Sequence, residues 1–384
     1  MSGVSDWPHP VARITDEEKR QRLDRLRQSM EAHGLAAFLL GSTESLRYFT
    51  GLVWHPSERL VGALVTPTKL IYIAPGFECS RIETLPRLDG DIAAWEEHES
   101  SAELIADLVG AGGRLGLDEE LPLFVYHALA RVFEADRLFD GGVLVRDIRI
   151  RKSKAEIDII RHAMGLTLEV HRRAHALMRP GIRASEVARY IDEQHHLLGA
   201  PEGSSFCIVS FGLATSLPHG ADGDQTLEAG DVILVDTGCR LDGYHSDLTR
   251  TYVLDESTPE VARIWAMERE AQQAVFDAAK VGAPCESLDD AARAVLERHG
   301  LGPDYRLPGL PHRAGHGLGL AIHEHPYIVR GNRLPLAPGM CFSVEPMIVC
   351  PGAFGVRLED HVYMTENGPE WFTLPAKSPT QPFG

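Results

Sequence analysis

The chain has 384 residues, enough for roughly two or three domains of ordinary size. Its hydrophobic fraction of 44% and charged fraction of 24% are ordinary for a globular protein, which excludes a collagen-like repeat, a coiled coil and long disorder. Acidic residues number 55 against 38 basic ones, a formal net charge of −17, and no basic cluster interrupts this acidity, so nucleic acid is not an expected partner.

The sequence shows no pattern typical of export or membrane insertion. The segment Met1–Gln28 is polar and lacks both an apolar core and a small-residue cleavage site. No run reaches the roughly 18 apolar residues that a membrane helix requires. The six cysteines form no C-x-x-C pair, which argues against a zinc ribbon or a disulfide scaffold. We therefore expect a cytoplasmic protein with reduced thiols and no membrane contact.

The first part of the chain alternates helical and strand patterns, which is typical of a compact α/β domain. Helical spacing covers Glu17–His33. Three short buried strands are predicted over Ala36–Leu40, Gly62–Val65 and Lys69–Ala74.

A new helix marks the expected domain boundary. Ser153 followed three residues later by Glu156 is a capping box, and it opens a helical run that extends to Met178. We therefore divide the chain into an α/β domain over residues 1–150 and a second domain over residues 151–384.

The second domain contains an internal repeat that is weak in identity and clear in pattern. Helices are predicted over Ser185–Leu198 and Leu288–His299, and each is followed by a turn glycine and an apolar strand. A carboxylate stands six residues after each turn glycine, Asp236 in the first half and Glu345 in the second. The repeat predicts a pseudo-twofold fold that presents acids to a shared centre.

Two acids flank a predicted β-hairpin. Asp236 and Asp247 lie on either side of the turn dipeptide Asp242-Gly243, with strand-forming runs before and after it. We expect the two carboxylates to lie nearly opposite each other, where like charges need a cation or a shared proton. Alternatively, the pair consists of two solvated turn acids.

Histidine is densest over residues 315–326, where three glycines permit close backbone approach around His316. The run lacks the H-E-x-x-H spacing of a helical zinc site and the strand-turn-helix context of a dinucleotide loop. His323 and His325 occupy alternating positions of a predicted strand. An isolated histidine in such a run would be an ordinary core or surface residue.

Two further acids follow. Glu345 precedes Pro346, which ends its strand, and Glu359 shares a strand face with Arg357, with which it could form an ordinary ion pair. Together, the four carboxylates and one imidazole form a largely oxygen ligand set with enough charge for two divalent metal ions. Manganese suits such a set best, with cobalt, iron and zinc as alternatives. Two ions about 3.5–4 Å apart can hydrolyse an amide without a protein nucleophile.

The motifs together resemble those of the pita-bread metallopeptidases. The matching runs are Leu234–Gly238, His245–Arg250, Gly315–Gly319, His323–Pro326, Ser343–Pro346 and Val356–Asp360. The α/β domain before them and the run Ser216–Gly220 are similar to the prolidase and aminopeptidase P branch. The resemblance implies a creatinase-N-like α/β domain followed by an α+β pita-bread catalytic domain.

The resemblance also implies roles for individual residues. It implies that Asp247 and Glu359 bridge two metal ions, that Asp236 completes one ion, and that His316 and Glu345 complete the other. Glu345 would also act as general base. His219 and His323 would bind the scissile carbonyl or move protons, and Arg357 would orient the site or the substrate.

The function implied is hydrolysis of the Xaa-Pro bond of short proline-containing peptides by a cytoplasmic, manganese-dependent homodimer. We expect dipeptides as substrates, with Arg357 or Arg59 binding the free carboxylate. Three alternatives stay open: an Xaa-Pro aminopeptidase acting on longer peptides, a creatinase-like amidinohydrolase, and a non-catalytic pita-bread binding module.

Overall fold

The computed structural model describes residues 13–384 and contains two compact units, Ile14–Arg149 and Ile150–Gly384. The start of the predicted domain 1–150, and with it part of the Met1–Gln28 segment that is predicted to lack a secretion signal, lies outside the described residues. No helix within residues 13–384 combines the length and apolarity needed to cross a membrane. All six cysteines are free thiols.

The first unit is an α/β fold around a six-stranded mixed sheet. Its elements are α1 (Asp16–Ala32), β1 (Ala37–Leu40), α2 (Glu44–Thr50), β2 (Gly62–Val65), β3 (Leu70–Pro75), α3 (Cys79–Thr84), β4 (Asp91–Trp95), α4 (Ser101–Val109), β5 (Leu115–Leu117), α5 (Leu123–Leu129), β6 (Leu138–Asp140) and α6 (Gly142–Arg149). The strand order is β4-β3-β2-β1-β5-β6, with β2 antiparallel to both of its neighbours.

The predicted helix and the three predicted strands of this unit are present, each within one residue of its predicted ends. Helix α1 begins where the Thr15 hydroxyl accepts the Glu18 N–H at 3.1 Å. Strands β5 and β6 are three residues long, too short to show an alternating pattern, so the sequence did not predict them.

The second unit contains four long helices and three sheets. Its elements are α7 (Lys154–Leu177), α8 (Ala184–Leu197), β7 (Ser204–Phe211), β8 (Ile233–Leu241), β9 (Tyr244–His245), β10 (Leu248–Tyr252), α9 (Pro259–Ala278), α10 (Cys285–Arg298), β11 (Gly315–Gly317), β12 (Glu324–Ile328), β13 (Cys341–Val344), β14 (Met347–Cys350), β15 (Phe354–Arg357), β16 (Asp360–Thr365) and β17 (Gly368–Trp371).

Helix α7 begins at the predicted capping box. The Ser153 hydroxyl accepts the Glu156 N–H at 3.2 Å, and the Glu156 carboxylate accepts the Ser153 N–H at 2.8 Å. The helix ends at Leu177 with Met178 as its C-cap. Because the two bonds satisfy backbone donors that the helix itself cannot, this local pair fixes where the helix begins.

The predicted internal repeat is present in the backbone hydrogen bonds. Gly181 donates its N–H to the carbonyl of Leu227 at 2.8 Å, and Gly282 donates to the carbonyl of Leu336 at the same distance. In each half, these bonds connect the residues before the second helix to the turn before an apolar strand.

The turn glycines and the sheets repeat as well. Gly230 and Gly339 have φ angles of 88° and 86°, a left-handed conformation that favours glycine. The first half forms the sheet β10-β8-β7, and the second forms the sheet β12-β11-β13-β16-β17. A single antiparallel bridge between Thr249 and Glu359 connects strand β10 to the segment after β15. The two halves therefore meet where the acids of the sequence motifs lie.

Candidate metal centre

A two-residue hairpin turn sets the positions of the first two acids. Asp242 and Gly243 have φ angles of 48° and 85°, the geometry of the predicted turn, and strands β8 and β9 pair on either side of it. The same register continues into β10, where Asp236 faces Thr249. Asp247 therefore lies diagonally across from Asp236 on one sheet face. The two acids were predicted to lie nearly opposite each other. Instead, the residue opposite Asp236 is Thr249, two positions after Asp247, because the two-residue turn sets this register.

His316 lies on strand β11 between two glycines that have no room for a side chain. A Cβ on Gly315 would come within 2.1 Å of the Ser343 carbonyl oxygen, and one on Gly317 within 2.3 Å of the His325 carbonyl oxygen. The neighbouring strands thus approach closely and hold His316 in a buried position.

The His316 ring is oriented by its backbone. Nδ1 lies 3.0 Å from the Gly317 carbonyl oxygen, an acceptor, so Nδ1 carries a proton. Nε2 faces the acids, 3.1 Å from Oε1 of Glu345 and 3.7 Å from Oδ2 of Asp247. The ring therefore presents one nitrogen to the carboxylates.

Ser343 connects His316 to Glu345. Its hydroxyl accepts the His316 N–H at 2.8 Å and donates to Oε1 of Glu345 at 3.0 Å. Glu345 follows the last residue of strand β13, and its own N–H donates to the Ala314 carbonyl at 3.0 Å. Backbone and side chain of this acid are both fixed before any ligand binds.

Glu359 has a close polar neighbour at each carboxylate oxygen. Thr249 donates its hydroxyl to Oε2 at 2.6 Å, and Nε2 of His361 lies 3.2 Å from Oε1. The backbone is also held, because the fully buried Arg250 guanidinium contacts the Glu359 carbonyl at 2.9 Å and the Asp360 carboxylate at 2.6 Å.

Three groups of side chains have ligand atoms that all lie within 4.8 Å of one another. The groups are Asp247 with His316 and His323, Asp247 with Glu359 and His361, and His316 with Glu345 and Glu359. The structure thus brings together four of the five predicted ligands, Asp247, His316, Glu345 and Glu359, along with two further imidazoles.

Asp236 belongs to none of these groups and is paired with Arg357. Oδ2 of Asp236 accepts from Nη2 of Arg357 at 2.5 Å. Nε of Arg357 donates to the Thr249 hydroxyl at 3.2 Å, and Nη1 donates to the Pro218 carbonyl at 3.1 Å. Oδ1 of Asp236 is buried and has no hydrogen-bond partner among residues 13–384.

Burial makes ionisation of Asp236, Asp247 and Glu359 energetically unfavourable. Desolvation raises the pKa of Asp236 and of Glu359 to about 7, against the attraction of Arg357, and raises the pKa of Asp247 well above its ordinary value. Burial opposes protonation of His316, yet the adjacent Glu345 carboxylate raises its pKa overall. Burial would raise the pKa of Glu345, but His316 holds it well below its ordinary value.

These side chains fit divalent cations. The donors are mostly carboxylate oxygens, the imidazole of His316 presents a nitrogen to them, and the buried Oδ1 of Asp236 lacks a partner. A bound cation would offset the charge repulsion that raises the pKa of the three acids.

The two other predicted histidines are at the edge of this group. His323 is exposed, its ring centroid is 4.2 Å from that of His316, and burial of part of the ring lowers its pKa to about 4. It precedes strand β12, which begins at Glu324, so its predicted position on a strand is wrong. The chain bends there because the Glu324 carboxylate accepts the Ala321 N–H at 3.2 Å.

His219 is exposed and directly follows Pro218, whose carbonyl accepts a hydrogen bond from Arg357.

Two histidines that lie near the acids were not identified from the sequence. His361 stands two residues after Glu359, so strand alternation alone would have placed it on the same side. His312 stands four residues before His316; its Nδ1 lies 2.7 Å from the Arg313 carbonyl oxygen, and its Nε2 has no partner within the part of the chain that the structure describes. No local pattern distinguishes His312 from an ordinary histidine.

Comparisons with known proteins agree with this arrangement. Residues 158–366 match metallopeptidase family M24, and residues 22–151 match the creatinase/prolidase N-terminal domain. A probable dipeptidase PepE from Mycobacterium tuberculosis is 37% identical over 350 residues, covering 87% of this chain and 89% of that protein.

Solved structures are similar over nearly the whole chain. The crystal structure of dipeptidase PepE from Mycobacterium ulcerans has a TM-score of 0.88 at 32% identity and covers 94% of this chain and 97% of its own. An Xaa-Pro dipeptidase from Bacillus anthracis has a TM-score of 0.81 at 27% identity, covering 92% and 97%. The predicted fold class, a creatinase-type N-terminal domain with a pita-bread catalytic domain, is confirmed.

The raised pKa values predict how pH affects the metal-free protein. Acids with an unfolded pKa of about 4 and a folded pKa near 7 are protonated in the fold at low pH, and ionising them costs stability as pH rises through this window. The melting temperature of the metal-free protein should therefore fall from pH 5 to pH 8. Glu359→Gln removes a buried carboxylate that, with a pKa of about 7, is ionised at pH 8, and it should raise the metal-free melting temperature at pH 8 by roughly 2–4 °C.

Differential scanning calorimetry after chelation measures both effects. Glu297→Gln, which changes an exposed acid of the same unit, is the matched control and should leave the pH dependence unchanged. A metal-free protein that gains stability between pH 5 and pH 8 would contradict the interpretation.

Proposed function

We propose that this chain, which belongs to metallopeptidase family M24, hydrolyses the Xaa-Pro bond of dipeptides with two divalent metal ions. The observation that carries the proposal is the buried group of carboxylates around His316, which needs cations to be ionised. Manganese is the proposed metal, because most of the donors are oxygens. The homodimer and the cytoplasmic location stay predictions.

The proposed ligand assignment follows the positions of the side chains. Asp247 and Glu359 would be shared by both ions, since each carboxylate offers two oxygens and belongs to two of the three groups. His316 also belongs to two groups, but it presents only one nitrogen to the acids. His316 and Glu345 would complete one ion, and Asp236, through its unpartnered Oδ1, the other. When bound, two such ions lower the pKa of a water molecule and polarise a carbonyl oxygen.

The protein's own groups would perform the proton transfers. His316 keeps the Glu345 carboxylate ionised, so Glu345 is in the form that accepts a proton from the attacking water. His323 has a pKa of about 4 and is neutral near pH 7, so its ring N–H can donate a hydrogen bond to the developing oxyanion. His219 would bind the same carbonyl from the other side.

Arg357 is proposed as a positioning residue. Its guanidinium is buried, and its three nitrogens contact Asp236, Thr249 and Pro218. It therefore holds Oδ2 of Asp236, leaves Oδ1 available to a metal ion, and fixes the carbonyl next to His219. Because all three guanidinium nitrogens already have partners, Arg357 is less suited than an unengaged guanidinium to bind a substrate carboxylate.

Dipeptide substrates need a different cation, and Arg313 is the one that we propose. Arg59 is already bound to the Glu97 carboxylate through Nε at 2.8 Å and Nη2 at 3.0 Å. The Arg313 guanidinium lies over the Tyr327 ring, 4.4 Å from its centroid, and Tyr327 pairs directly with His316 across strands β11 and β12. The charge of Arg313 also helps to lower the pKa of His323, after burial and His316, which supports a position beside the site.

A proline-specific site has a physical reason to bind the free carboxylate of a dipeptide substrate. The bond to proline is a tertiary amide without an N–H, so a clamp on that backbone donor is unavailable. Binding the free carboxylate of a dipeptide would replace that contact with charge-assisted hydrogen bonds. Longer peptides carry no carboxylate at this position. An aminopeptidase that acts on them would therefore gain nothing from a cation here.

Metal dependence tests the chemistry. Chelation should abolish hydrolysis of Ala-Pro, and Mn²⁺ should restore it, because the reaction has no proposed protein nucleophile. Asp247→Asn and Glu359→Gln should lose far more activity than Glu17→Gln, a change in an exposed acid of the first unit. Full activity in metal-free protein, verified by mass spectrometry of bound metals, would refute the mechanism.

His323→Ala should retain its metals and lose turnover. The proposal places His323 next to the carbonyl oxygen and outside the ligand set, and loss of one such donor costs about 100- to 1000-fold in kcat. Metal content and kcat are measured on the same preparation. A variant that also loses half its metal would instead make His323 a ligand, as its grouping with Asp247 and His316 allows geometrically.

Substrate length tests the role of Arg313. Wild-type kcat/KM should be higher for Ala-Pro than for Ala-Pro amide or Ala-Pro-Ala. Arg313→Gln should lower kcat/KM for Ala-Pro by about 10- to 100-fold, the value of a charge-assisted hydrogen bond, and leave the amide nearly unchanged. Arg333→Gln, at an exposed arginine of the same unit, is the control. Equal or higher values for the tripeptide would favour the aminopeptidase alternative.

A further inference from the structure

His361 is a buried imidazole that the five-ligand assignment leaves without a role. It lies on strand β16, directly opposite Ser343 of strand β13, and its side chain is inaccessible to solvent. The ring centroid is 5.9 Å from that of His316, with the two planes at 70°. Two imidazoles thus face the same group of carboxylates.

The two imidazoles are placed alike with respect to the acids. Nε2 of His316 lies 3.1 Å from Oε1 of Glu345, and Nε2 of His361 lies 3.2 Å from Oε1 of Glu359. Two atoms that bind one ion at about 2.1 Å and at right angles would be about 3 Å apart, so both spacings suit neighbouring ligands of a metal. Nε2 of His361 is also grouped with Asp247, a proposed bridge.

The surroundings of the two ring nitrogens suit a ligand. Nε2 points at the carboxylates, 3.2 Å from Oε1 of Glu359 and within 4.8 Å of an oxygen of Asp247. Nδ1 has no hydrogen-bond partner among residues 13–384. No backbone carbonyl therefore fixes the tautomer of His361, in contrast to His316, whose Nδ1 lies 3.0 Å from the Gly317 carbonyl oxygen.

We propose that His361 is a sixth metal ligand, which binds through Nε2 the ion that Asp236 completes. This inference rests on the proposed two-metal centre. Each ion would then have one imidazole, His316 on one and His361 on the other, with Asp247 and Glu359 between them. An added nitrogen donor favours cobalt, iron and zinc over manganese at that ion.

The 3.2 Å distance between Nε2 of His361 and Oε1 of Glu359 also fits a hydrogen bond without a metal ion. If Nε2 of His361 carries the proton, it donates to Oε1 of Glu359, and His361 only positions that carboxylate. Thr249 has this role on the other oxygen, since its hydroxyl donates to Oε2 at 2.6 Å. Thr249→Val is therefore the matched control, because it removes a hydrogen bond to Glu359 without removing an imidazole.

The number of imidazoles bound to metal separates the two arrangements. Protein labelled with ¹⁵N in its histidines and loaded with two Co²⁺ ions should show two imidazoles with large paramagnetic shifts due to direct coordination. His361→Phe and His361→Gln should show one, and Thr249→Val should still show two. One coordinated imidazole in the wild type, or an unchanged count in folded His361 variants, would overturn the proposal.

Metal competition gives a second measurement that needs no substrate. The ratio of the dissociation constants for Mn²⁺ and Zn²⁺ should fall by about tenfold or more in His361→Gln and stay within about twofold in Thr249→Val. Equal ratios in the two variants would also overturn the proposal. A protein that binds metals through two imidazoles but does not cut Ala-Pro would refute the proposed function and leave the role of His361 intact.

Discussion

Carboxylates that are withdrawn from water repel one another and resist ionisation, and four of them meet in the second unit of this chain. Asp236, Asp247 and Glu359 all have raised pKa values, while Glu345 is ionised because His316 is beside it. Arg357 offsets part of the remaining charge. Such a group is stable only if positive charge is supplied, either by protons or by cations.

The duplicated architecture explains how these acids come together. Each half contributes an apolar strand that follows a left-handed glycine turn, with Asp236 six residues after Gly230 and Glu345 six residues after Gly339. The halves are joined at Thr249, whose backbone bridges to Glu359 and whose hydroxyl contacts both Glu359 and Arg357. Asp236 and His316 lie on strands β8 and β11, and Asp247, Glu345 and Glu359 are each directly adjacent to the end of a strand, so the sheets set the positions of all five side chains.

Local chemistry made part of this structure predictable. The capping box at Ser153 and the turn at Asp242-Gly243 depend on residues a few positions apart, so the sequence predicted where the helix and the hairpin begin. The offset between Asp236 and Asp247 and the bend before Glu324 depend on register and on side-chain contacts that no local pattern shows. The ion pair of Asp236 with Arg357 joins residues from the two halves, so no local pattern predicts it, whereas strand alternation alone would have placed His361 beside Glu359.

The bridge between Thr249 and Glu359 also bears on how the second unit folds. Asp236 and Asp247 come from the first half of the repeat, whereas His316, Glu345 and Glu359 come from the second. Neither half alone contains all the proposed ligands, so metal binding by the proposed set would require that both halves have folded and docked. A ligand that binds only the assembled unit lowers its free energy relative to every partly folded form. Metal binding at the proposed site would thus couple the two halves into one cooperative unit.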